Sequence, residues 1–316
     1  MTVEVLKPGL FSSFQDLGRT GHQHLGISVS GAMDELSHRL ANLALGNDER
    51  EATLEITLMG PTLRFAVQAT VAWCGADLSP AIDGTPVPRA TPTPVPAGAT
   101  LQFGKRLSGM RAYLAVRGGF ALAPVMGSTS TYARAGFGGH EGRALRKGDV
   151  LGLKSRGLPG IASVSPVMAA AVQRLHDELS GLTIRVLPGR EWEQFGAGAQ
   201  QTLLSHPYRI AAQSDRMGYR FEGPALERNT TDAVLSEAVC FGTMQVPPDG
   251  QPIVLMAERQ TTGGYPKIVQ VASVDLPRLA QRAPGESLRF VLIAMEKAQA
   301  LLLARERVLR TLLPAV

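Results

Sequence analysis

Short apolar runs separated by turn-forming residues dominate the pattern of this chain. Residues 3–6 and 53–58 alternate apolar and polar positions, whereas residues 71–74 form a continuous apolar run. Both patterns are typical of β-strands. Glycine (34) and proline (21) are frequent, while aromatic residues make up 5% of the chain. The pattern therefore predicts a mainly β protein with some α-helix, with many strands joined by tight turns.

Three stretches show helical spacing instead. Residues 36–44 carry leucines at that spacing, directly after Asp34, whose carboxylate suits the first turn of a helix. Residues 155–181 form a second helical stretch, and residues 291–313 finish a strand and then predict a C-terminal helix. The arginines expected on the solvent-exposed face of that helix are Arg305, Arg307 and Arg310.

A chain of 316 residues suits two lobes of about 150 residues each. Residues 184–189 (IRVLPG) echo residues 3–9 (VEVLKPG), and residues 284–290 echo residues 97–103. Such echoes indicate two related lobes with a cleft between them. The predicted N-terminal β-rich lobe, helical connection and C-terminal lobe with its terminal helix are residues 1–160, 161–181 and 182–316.

Composition excludes several classes of protein. The net charge is only +5, without a long basic run, so a nucleic-acid partner is not indicated. Cys74 and Cys240 lie in apolar contexts and are interpreted as buried free thiols of a reducing compartment, and no metal site is predicted. Since no segment has the features of a membrane span or a secretory leader, we expect a soluble, cytoplasmic protein.

The most informative stretch is residues 246–275. A Pro-Pro-Asp-Gly turn and an apolar strand (253–257) precede the polar loop 258–267, and a second apolar strand (268–274) follows it. Paired glycines in a polar loop between core strands present backbone N–H groups and short donors to a small ligand. An ordinary hairpin loop with a solvated tip fits the same pattern.

A second candidate lies at residues 214–220 (SDRMGYR). Its arginines could clamp a carboxylate or a phosphate in a bidentate manner, while a simple Asp215–Arg216 pair that fixes a turn explains them equally well. Glu237 and Gln245 precede the polar loop and are expected to complete its cleft. No Gly-Lys-Ser/Thr run closes a phosphate-binding loop anywhere in the chain.

Seven segments, in order over almost the full chain, resemble one family: the C subunit of the bacterial 5-oxoprolinase, also called allophanate hydrolase subunit 2. This family is related to the biotin-dependent carboxyltransferase half of urea carboxylase. The segments are residues 15–19 (QDLGR), 31–34 (GAMD), 41–42 (AN), 113–119 (YLAVRGG), 127–131 (GSTST), 214–220 (SDRMGYR) and 260–267 (QTTGGYPK). The chain departs at Glu258, where we expect the family to carry Asp.

The resemblance implies cyclophilin-like β-barrel lobes, a partner B subunit of related fold and a separate A subunit. It also implies ATP-dependent opening of 5-oxoproline to glutamate, so the expected small-molecule partner is a small amide or lactam. ATP is then a cofactor of the complex, and biotin is a cofactor only if the chain is a carboxyltransferase. We expect little activity from this subunit alone.

Opening a lactam requires cations near phosphate, hydrogen-bond donors for the lactam and a base. The predicted catalytic residues are Lys267, Tyr265, Glu258 and Glu237. The predicted substrate-binding residues are Gln245, Gln260, Thr261, Thr262, Gly263, Gly264, Arg216 and Ser214. Transfer of CO2 from carboxybiotin asks for a similar set, so residue types leave both reactions open. A third hypothesis is a regulatory protein that binds a partner subunit and performs no chemistry.

Overall fold

The computed structural model describes residues 1–154, 166–230 and 232–312, and of residues 166–169 the backbone alone. Contacts within the chain divide it into two compact units. The first unit comprises Met1–Arg19, Ser30–Glu178 and Arg307–Val316, and the second comprises Thr20–Val29 and Leu179–Glu306. The boundary predicted at residue 160, together with residues 161–165 of the predicted connection, lies outside the described residues.

Two antiparallel sheets form the first unit. Its strands are β1 (Thr2–Lys7), β2 (Phe11–Gln15), β3 (Thr53–Thr57), β4 (Thr62–Phe65), β5 (Ala69–Asp77), β6 (Ala81–Ile82), β7 (Thr85–Pro86), β8 (Thr93–Val95), β9 (Thr100–Gln102), β10 (Ser108–Val116) and β11 (Val150–Gly152). The strand orders are β11-β1-β4-β9-β6-β7 and β2-β3-β10-β5-β8. One hydrophobic cluster draws side chains from both sheets, so the sheets pack face to face.

The first sheet shows why alternation predicts a strand with one buried face. Val3 and Val5 of β1 are fully buried in the shared core, while the side chain of Glu4 between them is partly exposed and pairs with Arg64 on β4. The proline-rich segment around Pro94 forms the edge strand β8, because an edge strand tolerates the missing N–H of proline.

Helix α1 (Glu35–Ala44) begins where the sequence predicts. Asp34 is its N-cap and accepts a hydrogen bond from the backbone N–H of Ser37 at 2.9 Å. On the same helix, His38 is fully buried between Thr53 Oγ1 (2.8 Å) and the carbonyl of Glu49 (3.0 Å). Burial lowers the pKa of His38 to about 4, so the imidazole is neutral and serves as part of the core.

The second unit contains a closed barrel with the strand order β12-β19-β16-β17-β14-β13-β20. Its strands, with the adjoining ribbon β15 and β18, are β12 (Thr183–Pro188), β13 (Tyr208–Ile210), β14 (Gly218–Glu222), β15 (Glu237–Ala238), β16 (Thr243–Gln245), β17 (Ile253–Leu255), β18 (Thr262–Gly263), β19 (Lys267–Val271) and β20 (Ser287–Leu292). The predicted mainly β fold is thus confirmed. The described strands of the first unit form two packed sheets, whereas those of the second close into this barrel.

The strand predicted at residues 268–274 ends early, at Val271. The following Ser273–Asp275 forms a short 3-10 helix because the buried carboxylate of Asp275 is bound by Arg185, whose backbone N–H and Nε both lie 2.8 Å away. The remaining helices are α2 (Pro166–Asp177), α3 (Ala197–Ser205), α4 (Leu276–Ala280) and α5 (Met295–Thr311).

Two other expectations are wrong. Arg305 lies on α5 but is buried, because its guanidinium donates to the carbonyl of Val274 at 2.6 Å; only Arg307 and Arg310 are exposed. Cys240 is exposed, since it lies in a turn where its N–H donates to Thr243 Oγ1. Cys74 is buried as predicted, and burial raises the pKa of its thiol to about 12.

Membrane and metal features are both missing from the part of the chain that the structure describes. No helix there is long and apolar enough to cross a lipid bilayer. No group of three or more His, Cys, Asp or Glu side chains there is arranged to hold a metal ion.

Candidate functional site

The barrel register brings together residues that are distant in sequence. Gln245, at the end of β16, lies opposite Ile253 of β17 on one side and opposite Lys267 of β19 on the other. The ribbon of β15 and β18 pairs Glu237 with Gly263. Of the residues predicted from sequence, Gln245, Glu237, Gly263 and Lys267 therefore share one region of the barrel.

Lys267 is the centre of this region, and its side chain is only 8% exposed. Its Nζ lies 2.9 Å from Oε1 of Glu237 and 3.6 Å from Oε2 of Glu191. Arg190 contacts the other oxygen of Glu237 and lies 3.8 Å from Oε1 of Glu191. The four side chains form a closed ring of alternating charge, which we call the Lys267 ring (Arg190, Glu191, Glu237 and Lys267).

Backbone contacts build the inner half of this ring. The N–H of Lys267 donates to the carboxylate of Glu191 at 2.9 Å, and the N–H of Glu191 donates to the carbonyl of Lys267 at 3.2 Å. Gly189 makes this approach possible, because a Cβ at that position would lie 2.3 Å from the carbonyl oxygen of Lys267. Glu191 is therefore fixed against the start of β19.

Glu237 is held differently. The close ammonium of Lys267 lowers the pKa of the Glu237 carboxyl, and the charge of Arg190 lowers it further against a smaller desolvation effect. Because both cations favour the charged form, Glu237 is a stable anion at neutral pH and a weak proton acceptor. Its predicted catalytic role stays a prediction, and the geometry favours a role as a counter-ion.

The amide of Gln245 lies beside the ring and is 2% exposed as a residue. Its Nε2 donates to the carbonyl of Tyr265 at 3.4 Å, and its Oε1 accepts from Nε2 of Gln260 at 3.5 Å. These bonds are long, hence weak, and the two amides can exchange them for bonds to a ligand at little cost. Gly263 gives the amide its space, because a Cβ there would lie 2.4 Å from Gln245 Nε2.

Gly263→Ala should therefore displace the Gln245 amide. If the chain acts in an enzyme complex, as its sequence resemblance implies, the substitution should lower kcat/KM of that complex about tenfold or more, since misplaced positioning groups cost rate steeply. Steady-state kinetics with the wild-type chain and with the Gly263→Ala variant would measure the effect. The matched control is Gly198→Ala on α3, where an added Cβ meets nothing within 4 Å. Unchanged kinetics for Gly263→Ala would contradict the assigned position of Gln245.

Arg216 and Glu258 form a second buried ion pair. Nε of Arg216 is 2.6 Å from Oε1 of Glu258, and both side chains are more than nine-tenths buried. Glu258 follows the end of β17, whereas Gln245, the neighbour of Lys267, pairs with Ile253 at the beginning of that strand. The pair is well placed to join the loop after β17 to the loop before β14.

The remaining predicted residues, Thr261, Thr262 and Ser214, make local hydrogen bonds in loops and in the ribbon. Thr261 accepts the N–H of Val239 through its carbonyl, and Thr262 pairs with Ala238 in the ribbon. Ser214 exchanges hydrogen bonds with the backbone of Arg220, which closes its own turn. These interactions hold the loops in place.

Gly264 and Tyr265 line a cavity of about 720 Å³ within the second unit. Its apolar wall includes Phe195, Leu226, Val246 and three prolines. Its charged lining residues are Glu227, Arg228, Asp232 and Asp249. The volume suits a small molecule or a few side chains, and the three carboxylates give the cavity a negative lining.

Sequence reasoning missed Arg190 and Glu191. The available signal was the Pro188-Gly189 turn, which places a cation and a carboxylate directly after strand β12. Nothing in the sequence indicates that this turn meets the start of β19, 76 positions further along the chain.

Comparison with known proteins identifies the family of this chain. The family model described as "Carboxyltransferase domain, subdomain A and B" matches residues 25–292. The chain belongs to this family. It is 40% identical over 296 residues to the C subunit of 5-oxoprolinase from Escherichia coli strain K12, a match that covers 94% of this chain and 93% of that protein.

Two larger carboxyltransferase family proteins are also similar. Urea amidolyase of Saccharomyces cerevisiae is 31% identical over 95% of this chain, which covers 17% of that protein. The crystal structure of Kluyveromyces lactis urea carboxylase superposes with a TM-score of 0.91 at 30% identity, over 98% of this chain and 29% of that chain. The resemblance noted from the sequence is confirmed: the Escherichia coli relative is a subunit of 5-oxoprolinase, and this chain matches a part of each of the two larger proteins.

Proposed function

We propose that this family member is a subunit of a heteromeric, ATP-dependent 5-oxoprolinase that converts 5-oxoproline to glutamate. The observation that carries the proposal is the end-to-end match: the chain covers 93% of the C subunit of 5-oxoprolinase but only 17% of urea amidolyase. The Lys267 ring supports it, because the ring supplies a buried cation next to amide donors.

The residues of this chain have defined parts in such a reaction. The substrate of such a reaction is an anion, which a fixed cation in a water-poor setting attracts and positions. Lys267 is that cation. The donors that orient the lactam are the side chains of Gln260, Thr262 and the half-exposed Tyr265. Gln245 fixes the loop through its hydrogen bond with Gln260.

ATP does not fit the cavity of the second unit. Three carboxylates face one guanidinium in its lining, and the guanidinium of Arg228 already donates to the carbonyl of Asp232. A triphosphate needs several cations or a nest of backbone N–H groups. We therefore do not place ATP in this cavity, and we propose that a partner subunit binds it.

If another subunit binds ATP, this chain must work with partner subunits. The chain would act with a B subunit of related fold and a separate A subunit, and one of these would supply the phosphate site and the water-activating base. The predicted catalytic carboxylates of this chain are both paired with cations, Glu258 with Arg216 and Glu237 with Lys267. A base from a partner subunit agrees with that pairing.

The second candidate is a carboxyltransferase subunit that works with carboxybiotin. Two observations favour it: the matched family model is a carboxyltransferase domain, and the fold superposes on urea carboxylase. In that reaction the amide donors of the loop would hold the ureido carbonyl of biotin, and Lys267 would neutralise the carboxylate that is transferred.

Reconstitution separates the two candidates. The purified chain is mixed with its A and B partner subunits, and the complex is verified by size-exclusion chromatography. It is then supplied with 5-oxoproline and ATP, or with carboxybiotin and urea. We expect glutamate release that depends on ATP. An intact complex that releases no glutamate but transfers CO2 from carboxybiotin would overturn the first candidate.

A further inference from the structure

We propose that Arg190 and Lys267 form a binding site for the carboxylate of a small ligand, and that Glu237 occupies this site as an exchangeable internal anion in the free subunit. The ligand class is a small carboxylate that also carries an amide or lactam group. The choice of 5-oxoproline as its probe rests on the proposed function, whereas the anion site itself rests on the geometry of the Lys267 ring.

Glu237 is bound through both of its carboxylate oxygens. One of them, Oε1, lies 2.9 Å from Nζ of Lys267, and the other, Oε2, contacts Nη1 of Arg190. Each oxygen therefore faces its own cation, which is how a two-cation site grips a ligand carboxylate. Glu237 fills the position that such a ligand would take.

The two carboxylates of the ring differ in how firmly they are held. Glu191 is 6% exposed and is fixed to the backbone of Lys267 by two hydrogen bonds. The side chain of Glu237 is 30% exposed and lies on a strand of only two residues, whose ladder partner β18 also has two. Glu237 can leave without opening the barrel, and Glu191 cannot.

The ammonium group of Lys267 can donate further hydrogen bonds to a ligand. Its Nζ is buried and makes no hydrogen bond of good geometry within the described residues, although it lies close to Glu237. A buried ammonium has three donors to satisfy, and native proteins rarely leave such groups without acceptors. A ligand carboxylate that approaches Nζ at a better angle would satisfy them.

The charge balance of the ring supports exchange. The ring holds two cations and two carboxylates, so it is neutral when Glu237 is in place. When Glu237 swings out, Arg190 and Lys267 face Glu191 alone, and the site carries one net positive charge. An incoming carboxylate restores neutrality, while the exposed Arg190 guides it because that side chain is 72% exposed.

The neighbouring amides define the rest of the ligand. Gln245 lies opposite Lys267 in the barrel, and its bond with Gln260 is long at 3.5 Å. A ligand bound through its carboxylate at the ring would present an adjacent amide or lactam group to these two side chains. A lactam without a carboxylate lacks the ionic contact and should bind weakly.

The test measures binding to the full-length chain by calorimetry, with 5-oxoproline as the probe and 2-pyrrolidinone, the same lactam without the carboxylate, as its control. Glu237→Gln should lower the Kd for 5-oxoproline about tenfold, because removal of an internal competitor raises the fraction of open sites. Arg190→Ala should raise that Kd about tenfold or more. Because the side chain of Arg190 is exposed, this substitution should not impair folding.

Glu222→Gln is the matched control, since it removes the same charge from another arginine pair in the barrel, with Arg209 at 2.7 Å. It should leave the Kd unchanged. The proposal is overturned if Glu237→Gln weakens binding or leaves it unchanged, or if Arg190→Ala binds 5-oxoproline as well as the parent chain. Glutamate release by a reconstituted enzyme whose subunit shows those results would overturn the anion site and keep the proposed function. If carboxylate binding responds to the substitutions as expected but the complex releases no glutamate, the proposed function is overturned and the anion site is kept.

Discussion

Lys267→Ala should reduce glutamate release by the proposed enzyme complex by about 10²-fold, because a substrate that has lost its fixed cation is misplaced relative to the reacting groups, and misplacement costs rate steeply. The side chain is 8% exposed and is fixed between two carboxylates, so bulk water cannot replace it at the same position. The measurement is the initial rate of ATP-dependent glutamate formation, with complex formation verified for each variant.

Lys267→Ala also leaves the buried Glu191 with only the exposed Arg190 as a cation, so the folding of the variant must be followed as well. Lys267→Arg keeps the positive charge and should restore the melting temperature without restoring the rate, because a guanidinium cannot occupy the position of Nζ. Arg209→Ala, which breaks an exposed ion pair elsewhere in the barrel, is the control. Full activity of the Lys267→Ala variant would contradict the assignment of Lys267 to the active site.

Glu258→Gln should destabilise the second unit by about 3 kcal/mol, because breaking a buried ion pair leaves a charge without its counter-ion in a poorly solvated place. Both side chains of the pair with Arg216 are more than nine-tenths buried. Thermal or urea unfolding followed by circular dichroism would measure the change in the free energy of unfolding.

Glu222→Gln makes the same chemical change in an exposed pair, whose side chains are 50% and 59% exposed, and should cost at most about 1 kcal/mol. Equal effects of the two substitutions would contradict the structural importance of the Arg216–Glu258 pair. A large loss of activity in Glu258→Gln with no loss of stability would favour the catalytic role predicted for Glu258 from the sequence.

Local patterns predicted the elements of the fold well. Alternation around Val3 and Val5 gave β1, and Asp34 marked the start of α1 because a short carboxylate side chain caps a helix through local hydrogen bonds. Arg305 shows the limit of such reasoning. Helical spacing places it on a polar face, yet the carbonyl of Val274, far away in sequence, accepts its hydrogen bond and buries it.

The candidate site was also predicted only in part, because local patterns do not show which distant residues meet. The polar loop that ends at Lys267 is visible in the sequence because its composition differs from that of the flanking strands. Its counter-ions are not visible: Glu191 precedes Lys267 by 76 positions, and Arg190 precedes Glu237 by 47. The pairing of β12 with β19 in the barrel and of β15 with β18 in the ribbon brings these side chains together, and no local propensity predicts such long-range pairing.

The central claim is that this chain supplies an essential part of a 5-oxoprolinase active site. The most direct test is an omission and add-back assay, in which the partner subunits are incubated with 5-oxoproline and ATP without this chain, with the wild-type chain or with Lys267→Ala. We predict glutamate release only in the presence of the wild-type chain. Equal glutamate release in all three reactions would contradict the claim.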